Sequence, residues 1–141
     1  MGLPSGTKWS AYNMGATAVN EPGDYYYWGN TVPGVEQYGI IDENYLTDNE
    51  NDVYYGSHTK YNAEDGLTTL EMTDDAARVN WGGTWRLPSN EEFRELCNSE
   101  YTTAIYVANY LNRGVDGILL TSKINNNTLF IPATEGVGTE Y

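Results

Sequence analysis

Cysteine occurs once in this chain, at Cys97, so no disulfide can close within it and no cysteine-based zinc site can form. Histidine also occurs once, at His58, with no second imidazole to share a metal, and it reads as a surface or turn residue. Nowhere do eighteen apolar residues run together, so no membrane-spanning helix is expected. Bases are scarce: seven against twenty acids leave a net charge of -13. A field of that sign repels nucleic acid and anionic membrane surfaces, and neither is expected as a partner.

What the chain does have is tyrosine and tryptophan, thirteen and four, against two phenylalanines. Such rings give large contact area and keep a polar tip for a hydrogen bond, so 40% hydrophobic content still suffices for a core. At 141 residues, 1–141 reads as a single domain that buries roughly two-thirds of its unfolded surface. The acids concentrate between residues 42 and 75, where Asp42, Glu43, Asp48, Glu50, Asp52, Glu64, Asp65, Glu71, Asp74 and Asp75 fall. A solvated acidic face is the simpler explanation; a cation site is the sharper one.

Pro4-Ser5-Gly6 predicts a turn, and Lys8 to Met14 then alternates as an early strand with Trp9, Ala11 and Asn13 on one side. Glu21-Pro22-Gly23-Asp24 predicts a second turn, followed by the β-prone aromatic run Tyr25 to Trp28, whose rings read as core and packing groups. Residues 30–66 are irregular, with a short strand at Asp52-Val53-Tyr54-Tyr55 and a turn at Asp65-Gly66. Thr73 as N-cap opens a two-turn helix that Gly82-Gly83 ends. Ser89 with Glu92 three residues on forms a capping box, and Phe93, Leu96 and Cys97 share the apolar face of the helix it starts. Tyr101 to Leu111 fits a strand or a further short helix. Ile118–Lys123 and Thr128–Ala133, joined by three asparagines, form the most secure hairpin.

Trp81-Gly82-Gly83-Thr84-Trp85-Arg86-Leu87-Pro88-Ser89, with Glu92 and Phe93 beyond it, resembles the core signature of the Fibrobacter succinogenes-type major paralogous domain of Bacteroidetes surface proteins. The opening Gly2 to Trp9, with Asn13, Gly15 and Ala16, is similar to that family's start. The family is related to C-type-lectin-like folds, to formylglycine-generating enzymes and to the variable proteins of diversity-generating retroelements. The resemblance implies an α+β, C-type-lectin-like fold with two short helices, small antiparallel sheets and long irregular loops. Members usually continue past Ile131-Pro132-Ala133 into further strands, so a second chain or another segment is expected to complete the sheet. It also implies a secreted or surface-exposed bacterial, or phage-particle, location. The related oxidases depend on cysteines late in the domain, and Cys97 alone does not match them; no catalysis is expected.

Two candidate sites lie in the loops. Asp48, Glu50 and Asp52 alternate as calcium-loop oxygen ligands do, although Val53 stands where such a loop needs glycine; calcium is the one candidate cofactor. Tyr38, Tyr45, Tyr54, Tyr55 and Tyr61 are the candidate ligand contacts, suited to a glycan or a protein. Trp81, Trp85, Arg86, Ser89 and Glu92 are read as scaffold: the indoles fill the core, Arg86 pairs with a buried acid or carbonyl, and the last two cap a helix. The function expected is a non-catalytic recognition or adhesion module. A packing module of a larger surface protein, binding nothing itself, is the alternative.

Overall fold

A computed structural model describes residues 1–26, 28–34 and 60–133. Its elements are α1 (Ala76–Trp81), α2 (Asn90–Leu96), β1 (Thr102–Val107), a 3-10 turn (Tyr110–Asn112), β2 (Gly117–Ser122) and β3 (Thr128–Pro132). Two helices and one small antiparallel sheet make this an α+β chain. It divides into two compact units, Met1–Asp24 with Pro88–Tyr141, and Tyr25–Leu87.

In the first unit the strands run in the order β1-β2-β3, every neighbour antiparallel. Register places Ala104 opposite Leu120 and Leu120 opposite Leu129, so these three share one face. Leu120, Leu96 of α2 and Leu3 form the buried cluster, with Met1, Trp9, Tyr101, Leu129 and Ile131 packed against it. Full burial of each such leucine contributes about 1.5–3 kcal/mol. On the opposite face Tyr110 stacks on Phe130, ring centroids 3.9 Å apart and 12° from parallel. The segment from Tyr101 thus takes the strand its sequence allowed, and the three-residue turn after it, with Leu111 and Asn112 at φ 54° and 58°, is not the alternative helix.

Helix α2 starts as its sequence predicts. Ser89 Oγ accepts the Glu92 amide at 3.2 Å, and Glu92 Oε2 accepts the Ser89 amide at 2.8 Å. The acidic side chains then tie the helix to the N-terminal turn: Thr7 Oγ1 donates to Glu92 Oε1 at 3.1 Å, and the Ser5 amide to Glu95 Oε1 at 2.9 Å. At its far end the Thr102 hydroxyl donates to the Leu96 carbonyl at 2.7 Å, so β1 begins by satisfying an orphan acceptor of the helix. Cys97 does not join the apolar face. The helix ends at Leu96, which leaves Cys97 past the last turn and exposed as the C-cap. Phe93 is exposed too and meets Trp9 edge-on at 6.1 Å, so Leu96 alone on that face is buried.

The early strand expected over Lys8 to Met14 does not form; these residues join no ladder. Their polar groups are used locally instead: Asn13 Nδ2 donates to the Pro22 carbonyl at 2.9 Å, and the Asp24 amide to the Met14 carbonyl at 2.7 Å. The turn at Pro4-Ser5 forms, closed by Gly6 N–H to Leu3 O at 2.9 Å.

In the second unit α1 begins two residues later than its sequence suggests. Asp75, not Thr73, is the N-cap; its Oδ1 accepts the Arg78 amide at 3.0 Å, while the Thr73 hydroxyl donates to Asp74 Oδ1. A carboxylate offers two acceptors where threonine offers one hydroxyl, and the second, Oδ2, takes the Leu87 amide at 2.8 Å. Gly82 ends the helix at φ 70°, its N–H returning to the Arg78 carbonyl, as Gly82-Gly83 predicts. Asn80 Nδ2 donates to the Thr31 carbonyl at 2.9 Å and holds the segment after Trp28 to the helix.

Candidate functional site

The described residues of the aromatic run after Asp24 join no strand, and Tyr25 and Trp28 are not core. Tyr25 and Trp28 are 50% and 54% exposed; Tyr27 lies outside the described residues. Trp28 rests against Tyr61, their ring centroids 4.9 Å apart and inclined at 74°. This edge-to-face contact fixes one side of the indole and leaves the rest to solvent.

Tyr61 is held more firmly than a loop tyrosine usually is. Its backbone sits at φ 60°, a left-handed conformation that costs a bulky residue of order 1–3 kcal/mol and persists only where surroundings over-determine it. Those surroundings are visible. The Tyr61 amide donates to Asp65 Oδ2 at 2.7 Å, its hydroxyl donates to Asp74 Oδ2, and the same hydroxyl accepts the Glu71 amide at 3.0 Å. Asp65 closes the turn beneath by accepting the Asn62 amide at 3.1 Å and the Leu67 amide at 2.9 Å. The Leu67 N–H above all keeps the Asp65 carboxyl below the usual carboxylate range.

Lys60 completes the group. Its Nζ lies 2.5 Å from Asp74 Oδ2 and 2.7 Å from Glu71 Oε2, and 5.1 Å from the centre of the Tyr61 ring. The hydrogen bond to Asp74, then the one to Glu71, hold the ammonium protonated well above the ordinary lysine value. Burial first, and the bond to ionised Asp74 second, raise the Tyr61 phenol as well. An amine kept charged in this way is a poor nucleophile at neutral pH.

Of the residues singled out as ligand contacts, Tyr61 is placed here; Tyr38, Tyr45, Tyr54 and Tyr55 lie outside the described residues, as do Asp48, Glu50 and Asp52 and the Asp52–Tyr55 strand. Among the described residues no group of three or more His, Cys, Asp or Glu side chains is disposed to hold a metal ion, and no helix is long and apolar enough to cross a membrane. In the sequence Trp28 reads either as a ring packed in a core or as one that stacks on a ligand, and the structure leaves it exposed; the Lys60–Asp74 pair is one that no spacing rule connects.

The scaffold residues divide. Ser89 and Glu92 do what their spacing predicts. Trp81 and Trp85 do not fill a core: Gly82 and Gly83, at φ 70° and 59°, fold the chain so that the indoles meet each other at 5.4 Å and 71°, each 39% exposed. Arg86 is exposed rather than buried, and the carbonyl its Nη1 reaches, at 3.0 Å, is that of its neighbour Leu87. No family model, curated protein or solved structure matches the chain.

Proposed function

We propose that the chain is a non-catalytic recognition module of C-type-lectin-like fold, related to the Fibrobacter succinogenes-type paralogous domains and displayed on a bacterial cell surface or phage particle. The fold reading rests on the Arg86-Leu87-Pro88-Ser89 signature together with the helix that Ser89 and Glu92 open. The observation that carries the functional reading is Trp28. Its large indole is left more than half exposed while a strained, multiply bonded tyrosine holds it in place. Exposed, pre-organised aromatics give contact area at little entropic cost, as binding surfaces need. Protein and glycan are the two ligand classes, with calcium at Asp48, Glu50 and Asp52 as a separate candidate requirement. Glycan and peptide arrays probed with the purified chain, with and without calcium, test the reading: reproducible capture of one ligand class supports it, and no capture in either condition refutes it.

The packing alternative is favoured by one feature of the first unit. Ile105 and Tyr106 of β1 and Ile118 of β2 are 50%, 64% and 38% exposed on a sheet whose outer strands are β1 and β3. A neighbouring segment or second chain laid along β1 would cover Ile105 and Tyr106, and Ile118 only if it also lay over the face that Ile118 shares with Tyr106. Removal of a sheet-completing partner would then lower stability, whereas removal of a ligand from the Trp28 surface would not alter the sheet.

A further inference from the structure

We infer that the Trp28 surface receives a cationic side chain, so that the partner is a basic protein segment rather than a neutral glycan; this rests on the recognition reading above and names its ligand class. Indole is the aromatic group with the most favourable attraction for an ammonium or guanidinium, and Trp28 keeps 54% of its surface in solvent. Its supporting tyrosine cannot swing away, because Asp65, Asp74 and the Glu71 amide hold it at both ends.

Charge then selects the ligand. The chain as a whole carries -13, and the described residues of the Tyr25–Leu87 unit hold five acids, Glu64, Asp65, Glu71, Asp74 and Asp75, against three bases. Of those bases, Lys60 is drawn between Glu71 and Asp74 at 2.7 and 2.5 Å, so its charge is compensated where it lies beside Tyr61. An arriving cation therefore meets an aromatic ring in a negative field. A neutral sugar gains nothing from that field, and a sulfated or uronic-acid glycan is opposed by it. The unit already makes one such contact internally, Lys60 Nζ over the Tyr61 ring at 5.1 Å.

The test is fluorescence anisotropy of labelled decalysine titrated with the full chain at low and at physiological salt, with unlabelled cellohexaose as the neutral comparison. Decalysine is expected to bind, to weaken as salt rises, and to lose about three- to fivefold in affinity in Trp28→Ala. Trp28→Phe retains a ring and is expected to recover most of that loss, which separates lost contact from misfolding. Tyr12→Ala, an exposed tyrosine of the other unit, is expected to match the unsubstituted chain. Binding of decalysine that is indifferent to Trp28→Ala overturns the assignment, leaving only a diffuse field effect. Binding of cellohexaose at Trp28 without decalysine overturns the cationic ligand but keeps the recognition module. Failure of both probes, and of every array ligand, removes both claims.

Discussion

Asp75 and Leu87 are joined by a hydrogen bond of 2.8 Å that spans twelve residues, from the start of α1 to the residue before Pro88. The same carboxylate caps α1 through the Arg78 amide, and Asp75 is buried. One side chain thus begins the helix and anchors the segment that leaves it. Asp75→Ala removes both acceptors and strands two amides, one of them at a buried helix start. We expect a loss of about 2–4 kcal/mol in urea unfolding, the sum of a cap and one further unsatisfied donor. Thr73→Ala, by contrast, is expected to cost less, about 0.5–1.5 kcal/mol, because it removes no cap and only the hydroxyl's bond to Asp74.

Gly117 is required for space rather than for backbone freedom. A Cβ there would stand 2.3 Å from the Ile131 carbonyl oxygen and 2.5 Å from Phe130 Cζ. The backbone oxygen belongs to the adjoining strand and cannot yield as a flexible side chain would. Gly117→Ala is expected to cost about 1–3 kcal/mol and to disturb the Tyr110–Phe130 stack. Thermal unfolding with near-ultraviolet circular dichroism reads both effects, and an unchanged aromatic spectrum would argue against the stack.

Stability should fall at both ends of the pH scale for different reasons. Asp65 is lowered by the Leu67 amide and Asp116 by the Tyr106 hydroxyl, which donates at 2.5 Å. Folding favours the ionised carboxylates, so their contribution is present above the ordinary value of 3.8 and is lost as pH falls through the lower folded values. Lys60 and Tyr61 are raised, so theirs is present below the ordinary values of 10.5 and 10.0 and lost at higher pH. Urea midpoints across pH 2–11 are expected to form a plateau between roughly 4 and 10. Asp65→Asn should flatten the acid limb and leave the alkaline limb in place.

Local signals were the legible ones. The Ser89–Glu92 box, the Gly82 stop, the Pro4-Ser5 turn and the β2–β3 hairpin each depend on residues a few positions apart, and each appears where its residues put it. Aromatic burial was not legible, because it depends on what lies opposite. Trp81 and Trp85 meet each other across a glycine turn, and the ring that Trp28 meets among the described residues is Tyr61. The strand expected at Lys8 to Met14 failed for a related reason: alternation suggested pairing, but Asn13, Pro22 and Asp24 satisfy the backbone within the loop. Tyr61 is one tyrosine among many in the sequence; that its backbone is left-handed and its hydroxyl tied to Asp74 thirteen residues on has no sequence signature. Helix α1 was placed correctly and capped wrongly, since threonine and aspartate are near-equal caps and only the reach to Leu87 separates them.

The role of Trp28 as a contact residue is tested most directly by the four indole N–H resonances of the chain. With the tryptophans labelled by nitrogen-15 and Trp28 assigned through Trp28→Phe, decalysine is titrated into the folded protein. The Trp28 resonance is predicted to move saturably, while that of Trp9, whose Nε1 is buried, stays fixed. A stationary Trp28 resonance at saturating probe, or one that moves only together with Trp9, would contradict it.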